Sequence, residues 1–443
     1  MIGVVAALVG DIPMYLPIIL MLILLAIGVP IAFSMAISGT VGLIYLIGIE
    51  RTSGILRNVP HSETTLFVLT TIPLFVLMAE LINESGLTED VFVAGERWLA
   101  HIPGGLAIAT TLANGGFAVL SGSSSAAAAS MSSIAVPEMK KLDYKDTIAM
   151  GTVSAAGTFA VMLPPSIALI FYGVWTETSI GALFLAGIIP GALTLIGYIV
   201  VIRVWAHRDP ELIGGVRENA YPLRERVSTL GPIWPAGIIV LAVIGGIYSG
   251  VVTVSEAGAA GAVGAFMVGV GIYGLRLGGL NEAFTRAARI SVMIFFIIIG
   301  AVIFTRYMAF SGITREIINL ITSIPAGPWI IILLILVVYV MLGTFMDQIA
   351  VLILTLPVTF PLFVIELGYS PVWFGIILIK TVEIGLVTPP LGMNVYIASG
   401  VVDVDVRDAF RGAAAFLTAD FVVLALMLAF PGMVMYLPDL MMG

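Results

Sequence analysis

Two pairs of consecutive prolines interrupt apolar stretches of the chain, Pro164-Pro165 in "FAVMLPPSIALIF" and Pro389-Pro390 in "GLVTPPLGMN". Proline has no N–H, so the carbonyl four residues earlier in a helix loses its hydrogen-bond partner. The carbonyls freed in this way would be those of Ala160, Val161, Gly385 and Leu386. An unpaired carbonyl is costly in an apolar medium, and a cation that takes oxygen ligands, such as Na⁺, would satisfy it. The paired prolines therefore predict cation sites rather than simple kinks.

Two other apolar stretches carry small and polar residues at their midpoints, "LSGSSSAAAAS" at 120–130 and "LGTFMDQ" at 342–348. The first offers the hydroxyls of Ser121, Ser123, Ser124 and Ser125. The second offers Gly343 and Thr344, with Asp347 as its one carboxylate. Each stretch could supply the second half of a cation cage, beside the carbonyls that the prolines free.

Ionisable residues inside apolar segments are functional candidates by default. Lys380 and Glu383 are spaced i, i+3 and can pair on one helix face. This spacing favours a structural ion pair, which offsets the cost of inserting each charge. Glu383 also lies just before Gly385, so it could instead orient a cation cage.

The elements that must position these residues are membrane helices. Of 443 residues, 60% are hydrophobic and only 10% are charged, which is far too apolar for a soluble domain. Alternating ten-residue strands are absent from the sequence, so an outer-membrane barrel is excluded. The chain has no cysteine and hence no disulfide or thiolate metal site. We therefore predict an all-α polytopic membrane protein. The predicted membrane segments are approximately 3–27, 30–49, 64–82, 147–172, 181–206, 233–250, 251–275, 290–307, 373–398 and 409–433.

The stretches at about 104–136 and 328–361 differ from these segments, because a crossing helix has no reason to be polar at its centre. We predict that each is a re-entrant hairpin with its tip buried in protein. A polar loop at 207–231 separates the chain into halves. Placing this loop in the cytoplasm puts fourteen of the nineteen Lys and Arg residues on that side, as the positive-inside rule expects.

The two halves, 1–206 and 232–443, resemble each other. The proline pairs are separated by 389 − 164 = 225 positions, and "ESGLTE" at 84–89 recurs 226 positions later as "FSGITR". Each half has about five crossing helices plus one hairpin, an odd number of crossings, so the second half must be inverted. Inverted repeats with broken helices, here 147–172 and 373–398, are typical of secondary transporters with midplane sites.

At these residues the sequence resembles the large membrane subunit, of the DctM type, of tripartite ATP-independent periplasmic (TRAP) transporters. The resemblance rests on "SGSSSAAAASMSSIAVPEM", "MLPPSIALI" and "FLAGIIPGAL" in the first half. In the second half it rests on "GTFMDQIAVLILTLP" and "EIGLVTPPLGMNVY". It covers essentially the whole chain, and the combination is far more specific than any single piece.

The resemblance implies an elevator-type carrier with two sodium sites. The first would involve Ser121, Ala160, Leu163 and Pro165, and the second Gly343, Gly385, Thr388 and Leu391. Ala160 departs from the glycine expected there, a change that a backbone ligand should survive. The substrate would lie between the two tips, where the candidate polar contacts are Ser123, Ser124, Ser166 and Asn394.

The resemblance also implies partners and a location. The subunit would work with a small four-helix membrane subunit of the DctQ type in the inner membrane. An extracytoplasmic binding protein would deliver an organic acid, whose carboxylate suits the N-termini of half-helices. No nucleic-acid partner and no enzymatic activity are expected.

Three rival functions make different predictions. A channel built on inverted repeats stays open as an alternative, and it would need no binding protein. An intramembrane serine protease using "GSSS" at 122–125 would need a histidine within the membrane, but His61, His101 and His207 all fall in or near loops. An ATP-driven pump would need a phosphate-binding Gly-x-x-x-x-Gly-Lys-Ser/Thr loop, and the sequence has none.

Overall fold

The computed structural model describes the backbone of residues 2–214, 221–325 and 327–442, and the side chains in these ranges except at 2–13, 118–121 and 160. The described residues form α-helices joined by short turns. In the first half they are α1 Ile2–Ala26, α2 Ile31–Thr64, α3 Thr71–Ser85, α4 Leu87–Leu99, α5 Gly105–Ser121, α6 Ser124–Lys141, α7 Asp146–Phe159, α8 Ile167–Trp175 and α9 Ile180–Arg208. In the linker and second half they are α10 Pro210–Ile213, α11 Leu223–Ser228, α12 Leu230–Tyr248, α13 Val254–Gly271, α14 Leu277–Ser311, α15 Ile313–Thr322, α16 Pro328–Phe345, α17 Gln348–Phe360, α18 Pro371–Leu386, α19 Met393–Val402, α20 Val406–Ala429 and α21 Pro431–Met442.

Nine helices in the described part of the chain are long and apolar enough to cross a membrane, which confirms the all-α polytopic class. The observed helices differ in detail from the predicted segments. The segment expected at 30–49 continues to Thr64, with a kink where Gly48 adopts φ 81°. The segment expected at 290–307 is part of the 35-residue α14. The amphipathic helices α4 and α15 had no predicted counterpart, because neither contains a continuous apolar run.

The chain divides into two compact units, and each takes segments from both predicted halves. The first unit comprises Met1–Leu69, Arg289–Leu334 and Ile349–Tyr369. In it α2 and α14 approach closely through small residues: a Cβ added at Gly300 would lie 2.2 Å from the Ala32 carbonyl oxygen, and one at Gly39 would lie 2.8 Å from the Phe304 Cα. Small residues allow such backbone approach between membrane helices.

The second unit comprises Thr70–Ala288, Ile335–Gln348 and Ser370–Gly443, and it contains both proline pairs. Its helices α7 and α20 meet at glycines, since a Cβ at Gly412 would lie 1.8 Å from the Thr147 carbonyl oxygen. Helix α7 leads directly into the first proline break.

The repeated motifs "ESGLTE" and "FSGITR" fold into matching turns. Gly86 and Gly312 both adopt the left-handed conformation, with φ 82° and 72°. In each turn the preceding serine accepts from the N–H that follows the glycine, Leu87 in one case and Ile313 in the other, at 3.4 Å. The correspondence supports the predicted repeat, whose inverted topology stays a prediction.

Candidate functional site

The first proline pair interrupts a membrane helix. Helix α7 ends at Phe159, a short 3₁₀ turn covers Ala160–Met162, and α8 begins at Ile167. The Ser166 side chain caps α8 by accepting from the Leu169 N–H at 3.3 Å. Ser166 is therefore buried at a helix N-terminus, a position whose free N–H groups favour anions.

The first hairpin tip lies directly against this break. Gly122, between α5 and α6, has φ +62°, and a Cβ there would lie 3.0 Å from the Pro165 carbonyl oxygen. Ser123 caps α6 by accepting from the Ala126 N–H at 3.4 Å. The predicted ligands Leu163 and Pro165 thus belong to a segment that touches the tip, whereas the side chains of Ser121 and Ala160 lie outside the described residues.

The second proline pair produces the same arrangement. Helix α18 ends at Leu386 and α19 begins at Met393, with residues 387–392 between them. A Cβ at Gly385 would lie 2.6 Å from the Val340 carbonyl oxygen and 2.7 Å from the Gly343 Cα. The two predicted ligands Gly343 and Gly385 are therefore in backbone contact, and both Pro-Pro peptide bonds are cis.

Three other predicted ligands of the second site lie at its edge. Thr388 is half-buried and donates its hydroxyl to the Ile384 carbonyl at 2.6 Å. Leu391 is 43% exposed, and Asp347 is exposed as well. The structure thus brings the backbone groups together and leaves the one carboxylate outside the buried contact.

One of the carbonyls predicted to be free, that of Gly385, has a donor within the chain. The Gly385 carbonyl accepts from the Thr388 N–H at 3.0 Å, so the chain turn that follows the break caps it. The Val161 and Leu386 carbonyls have no backbone or side-chain donor among the described residues. Carbonyl and hydroxyl oxygens are the ligands that hard cations take, so the groups present at both breaks fit Na⁺.

Asn394 connects the second broken helix to the first hairpin. It is fully buried, and its Oδ1 accepts from the Ser125 hydroxyl at 3.3 Å. Its Nδ2 has no hydrogen-bond partner among the described residues. Because a buried N–H without a partner is costly, this donor is available for a ligand.

Asn394→Ala should therefore weaken substrate binding more than Ser125→Ala does. We expect an increase of about 10- to 150-fold in the substrate concentration for half-maximal uptake, since one hydrogen bond to a charged group contributes about 1.5–3 kcal/mol. Uptake titrations in proteoliposomes measure it. An unchanged half-maximal concentration in Asn394→Ala would remove this residue from the substrate site.

The ion pair expected between Lys380 and Glu383 does not form. Lys380 Nζ instead lies 2.6 Å from Asp420 Oδ1 and donates to the Thr194 hydroxyl at 3.0 Å. The Tyr198 hydroxyl also lies within 2.9 Å of both Asp420 oxygens. Asp420 was not among the predicted residues, although it is the one acidic residue in the apolar stretch 409–433.

The family model and the similar proteins of known name all point to one family of transporters. The protein-family model described as the DctM component of the tripartite ATP-independent periplasmic transporter matches residues 18–433 of this chain. The C4-dicarboxylate TRAP transporter large permease protein DctM of Pseudomonas aeruginosa is 33% identical over 84% of this chain and 86% of its own length. The sialic acid TRAP transporter large permease protein SiaM of Vibrio cholerae is 32% identical over 85% and 87%.

A solved structure shares the fold at much lower sequence identity. The crystal structure of the Alcanivorax borkumensis YdaH transporter matches with a TM-score of 0.66 and 14% identity, over 95% of this chain and 99% of that chain. This likeness concerns the fold alone.

Proposed function

This chain belongs to the family of DctM components of tripartite ATP-independent periplasmic transporters, and from that membership we propose that it mediates sodium-coupled uptake of an organic acid. The observation that supports this most is the seating of each hairpin tip against a proline break. At one break Gly122 abuts the Pro165 carbonyl, and at the other Gly343 abuts Gly385. Two such contacts in one compact unit provide two places where backbone oxygens and hydroxyls converge.

The proposed sodium sites use the residues around these contacts. The first would be held by Ser121, Ala160, Leu163 and Pro165, and the second by Gly343, Gly385, Thr388 and Leu391 with Asp347 nearby. A bound Na⁺ would link substrate binding to the sodium gradient. The chain's own contribution is to hold the tips and breaks in contact, so that the oxygens need little rearrangement on binding.

The proposed substrate is a carboxylate that lies between the tips. Ser166 caps the N-terminus of α8, and Ser123 caps that of α6, with Ser124 following it. Asn394 adds an unpaired N–H donor. Three relatives are named for organic acids, namely C4-dicarboxylates, sialic acid and 2,3-diketo-L-gulonate. Helix N-termini and amide donors suit such anions.

We further propose an elevator mechanism in the inner membrane, in which the hairpins and broken helices move as one body. A small membrane subunit and an extracytoplasmic binding protein would complete the transporter. One relative is the isethionate TRAP transporter permease protein DctMQ of Oleidesulfovibrio alaskensis, which is longer, so that this chain covers 60% of it. Its name joins the two membrane components, and the relatives named as permeases support transport rather than enzymatic activity.

The direct test replaces sodium with choline outside proteoliposomes that contain both membrane subunits and the binding protein. We expect uptake to fall to the background of protein-free vesicles. Replacing chloride with gluconate at constant sodium is the control and should change little. Uptake that persists in choline would contradict sodium coupling, and uptake without the binding protein would favour the channel alternative.

Thr388→Ala tests the second sodium site within the same assay. We expect the loss of one oxygen ligand to weaken the free energy of sodium binding by about 1.4 kcal/mol. This change corresponds to about a tenfold higher sodium concentration for half-maximal uptake. Thermal unfolding in choline should match that of the unmodified chain, because the hydroxyl only bonds to the carbonyl four residues earlier. A sodium dependence identical to that of the unmodified chain would exclude Thr388 as a ligand.

A further inference from the structure

Helix α9 ends in a cluster of basic side chains that the proposed transport sites do not use. The helix runs from Ile180 to Arg208, and Arg203 is its first charged residue. His207 and Arg208 follow one turn later. All three side chains are exposed, and together they form the basic end of α9.

The length of α9 places its basic end at the surface of the membrane. Its 29 residues span about 44 Å, whereas the hydrocarbon core is about 30 Å thick. The uncharged stretch 180–202 is by itself long enough to cross that core, so the turns after it reach the lipid headgroups. Trp205 is half-buried at the same level, where tryptophans of membrane helices are enriched.

The basic end continues into an apolar groove of about 370 Å³ on the surface of α9. The groove is lined by Ile199, Val200, Arg203, Val204, His207 and Arg208. Val200 and Val204 are 54% and 42% exposed, and Ile196, one turn earlier on the same face, is 56% exposed. These three residues form an apolar column that leads from the membrane interior to the arginines.

The protein does not cancel the positive charge of the basic end. None of its side chains forms an ion pair with another residue that the structure describes. The Arg203 guanidinium donates to the Pro103 carbonyl at 3.4 Å, which leaves its other N–H groups for a ligand. Asp209 and Glu211 follow the helix and are exposed, but neither lines the groove. A ligand that fits must therefore combine an anionic group with an apolar chain.

We propose that the groove binds an anionic phospholipid. The phosphate would accept hydrogen bonds from the Arg203 and Arg208 guanidinium groups, whose planar donors match phosphate oxygens. An acyl chain would lie along the apolar column. A free phosphate would leave that column uncovered, and a zwitterionic lipid would bring its own positive charge to the arginines. The proposal concerns lipid binding, so failure of sodium-driven uptake would leave it standing.

The test measures phosphatidylglycerol binding by native mass spectrometry. The full-length chain is purified in detergent with its small membrane subunit and titrated with the lipid. Arg203→Gln/Arg208→Gln should bind the tightest phosphatidylglycerol about 30-fold more weakly, since each basic residue beside an anionic lipid contributes about a fivefold factor. An unchanged affinity in this variant would overturn the proposal.

Arg407→Gln/Arg411→Gln is the matched control. It removes the same charge from two exposed side chains at the N-terminal end of α20 and should bind the lipid as the unmodified chain does. Equal weakening in both double variants would show that only net charge matters, against the proposal. Arg208→Gln alone keeps the bond from Arg203 to Pro103 and should still weaken binding about fivefold, so a folding defect in the double variant leaves the test decisive.

Competition and an apolar variant identify the ligand. Phosphatidylcholine with the same acyl chains should compete poorly, and inorganic phosphate should not displace phosphatidylglycerol. Val200→Ser removes two methyl groups from the apolar column and should weaken binding several-fold. Equal competition by phosphatidylcholine, displacement by inorganic phosphate, or full affinity in Val200→Ser would each contradict the proposal. Binding seen only after removal of the small subunit would assign the groove to that subunit instead.

Discussion

A single methyl group at Gly385 should sharply raise the sodium concentration at which the proposed coupled uptake is half-maximal. In Gly385→Ala the new Cβ would lie 2.6 Å from the Val340 carbonyl oxygen and 2.7 Å from the Gly343 Cα. Both neighbours are backbone atoms that cannot rotate away, so α18 must separate from the hairpin tip. Overpacking of this kind costs about 1–3 kcal/mol, which corresponds to about a 5- to 150-fold loss of cation affinity if separation opens the site.

The reciprocal variant and a matched control sharpen this test. Gly343→Ala should have the same effect, because its Cβ would lie 2.7 Å from the Val382 carbonyl oxygen. Gly400→Ala, in the second broken helix, meets no atom within 4 Å and should transport normally. Sodium titrations of uptake measure all three variants. Gly385→Ala with the sodium dependence of the unmodified chain would show that the tip and the break need not touch for transport.

The sequence allowed prediction of those features of the site that depend on local chemistry. Proline cannot donate a helical hydrogen bond wherever it occurs, so both helix breaks could be placed at Pro164-Pro165 and Pro389-Pro390. The serine and glycine composition likewise placed the two tips. The sequence analysis also put each tip beside a break, but it could not show that Gly343 and Gly385 meet through their backbones, because such close contact depends on how α16 and α18 pack.

The error at Lys380 has a similar physical cause. Its i, i+3 spacing from Glu383 is a local signal, whereas Asp420 lies forty positions away in α20. Tertiary packing determines which carboxylate a buried ammonium meets, and spacing within one helix describes only one candidate. The kink at Gly48 was missed because hydropathy carries no information on backbone geometry. Helix α15 was missed because hydropathy finds long apolar runs, and this helix is apolar on one face only.

Lys380→Met should destabilise the protein by about 3–5 kcal/mol, because it leaves Asp420 buried without its cation. Lys380 and Asp420 are 0% and 1% exposed, so water cannot replace the lost ammonium, and the Tyr198 hydroxyl remains as the main donor. The matched surface variant is Asp408→Asn, which breaks the exposed pair with Arg411 at 3.3 Å. Exposed pairs contribute about 0–1 kcal/mol, so this variant should unfold almost as the unmodified protein does.

The double variant Lys380→Met/Asp420→Leu tests why Lys380→Met loses stability. The loss could come from the missing ion pair or from the unpaired charge that remains on Asp420. If the cost of Lys380→Met comes from an unpaired buried carboxylate, removing that carboxylate should recover most of the lost stability, as replacing whole buried pairs with apolar residues often does. Thermal unfolding followed by tryptophan fluorescence measures the recovery. A double variant less stable than Lys380→Met would instead mean that Asp420 stabilises α9 and α20 through Tyr198 alone, since that contact is independent of the lysine.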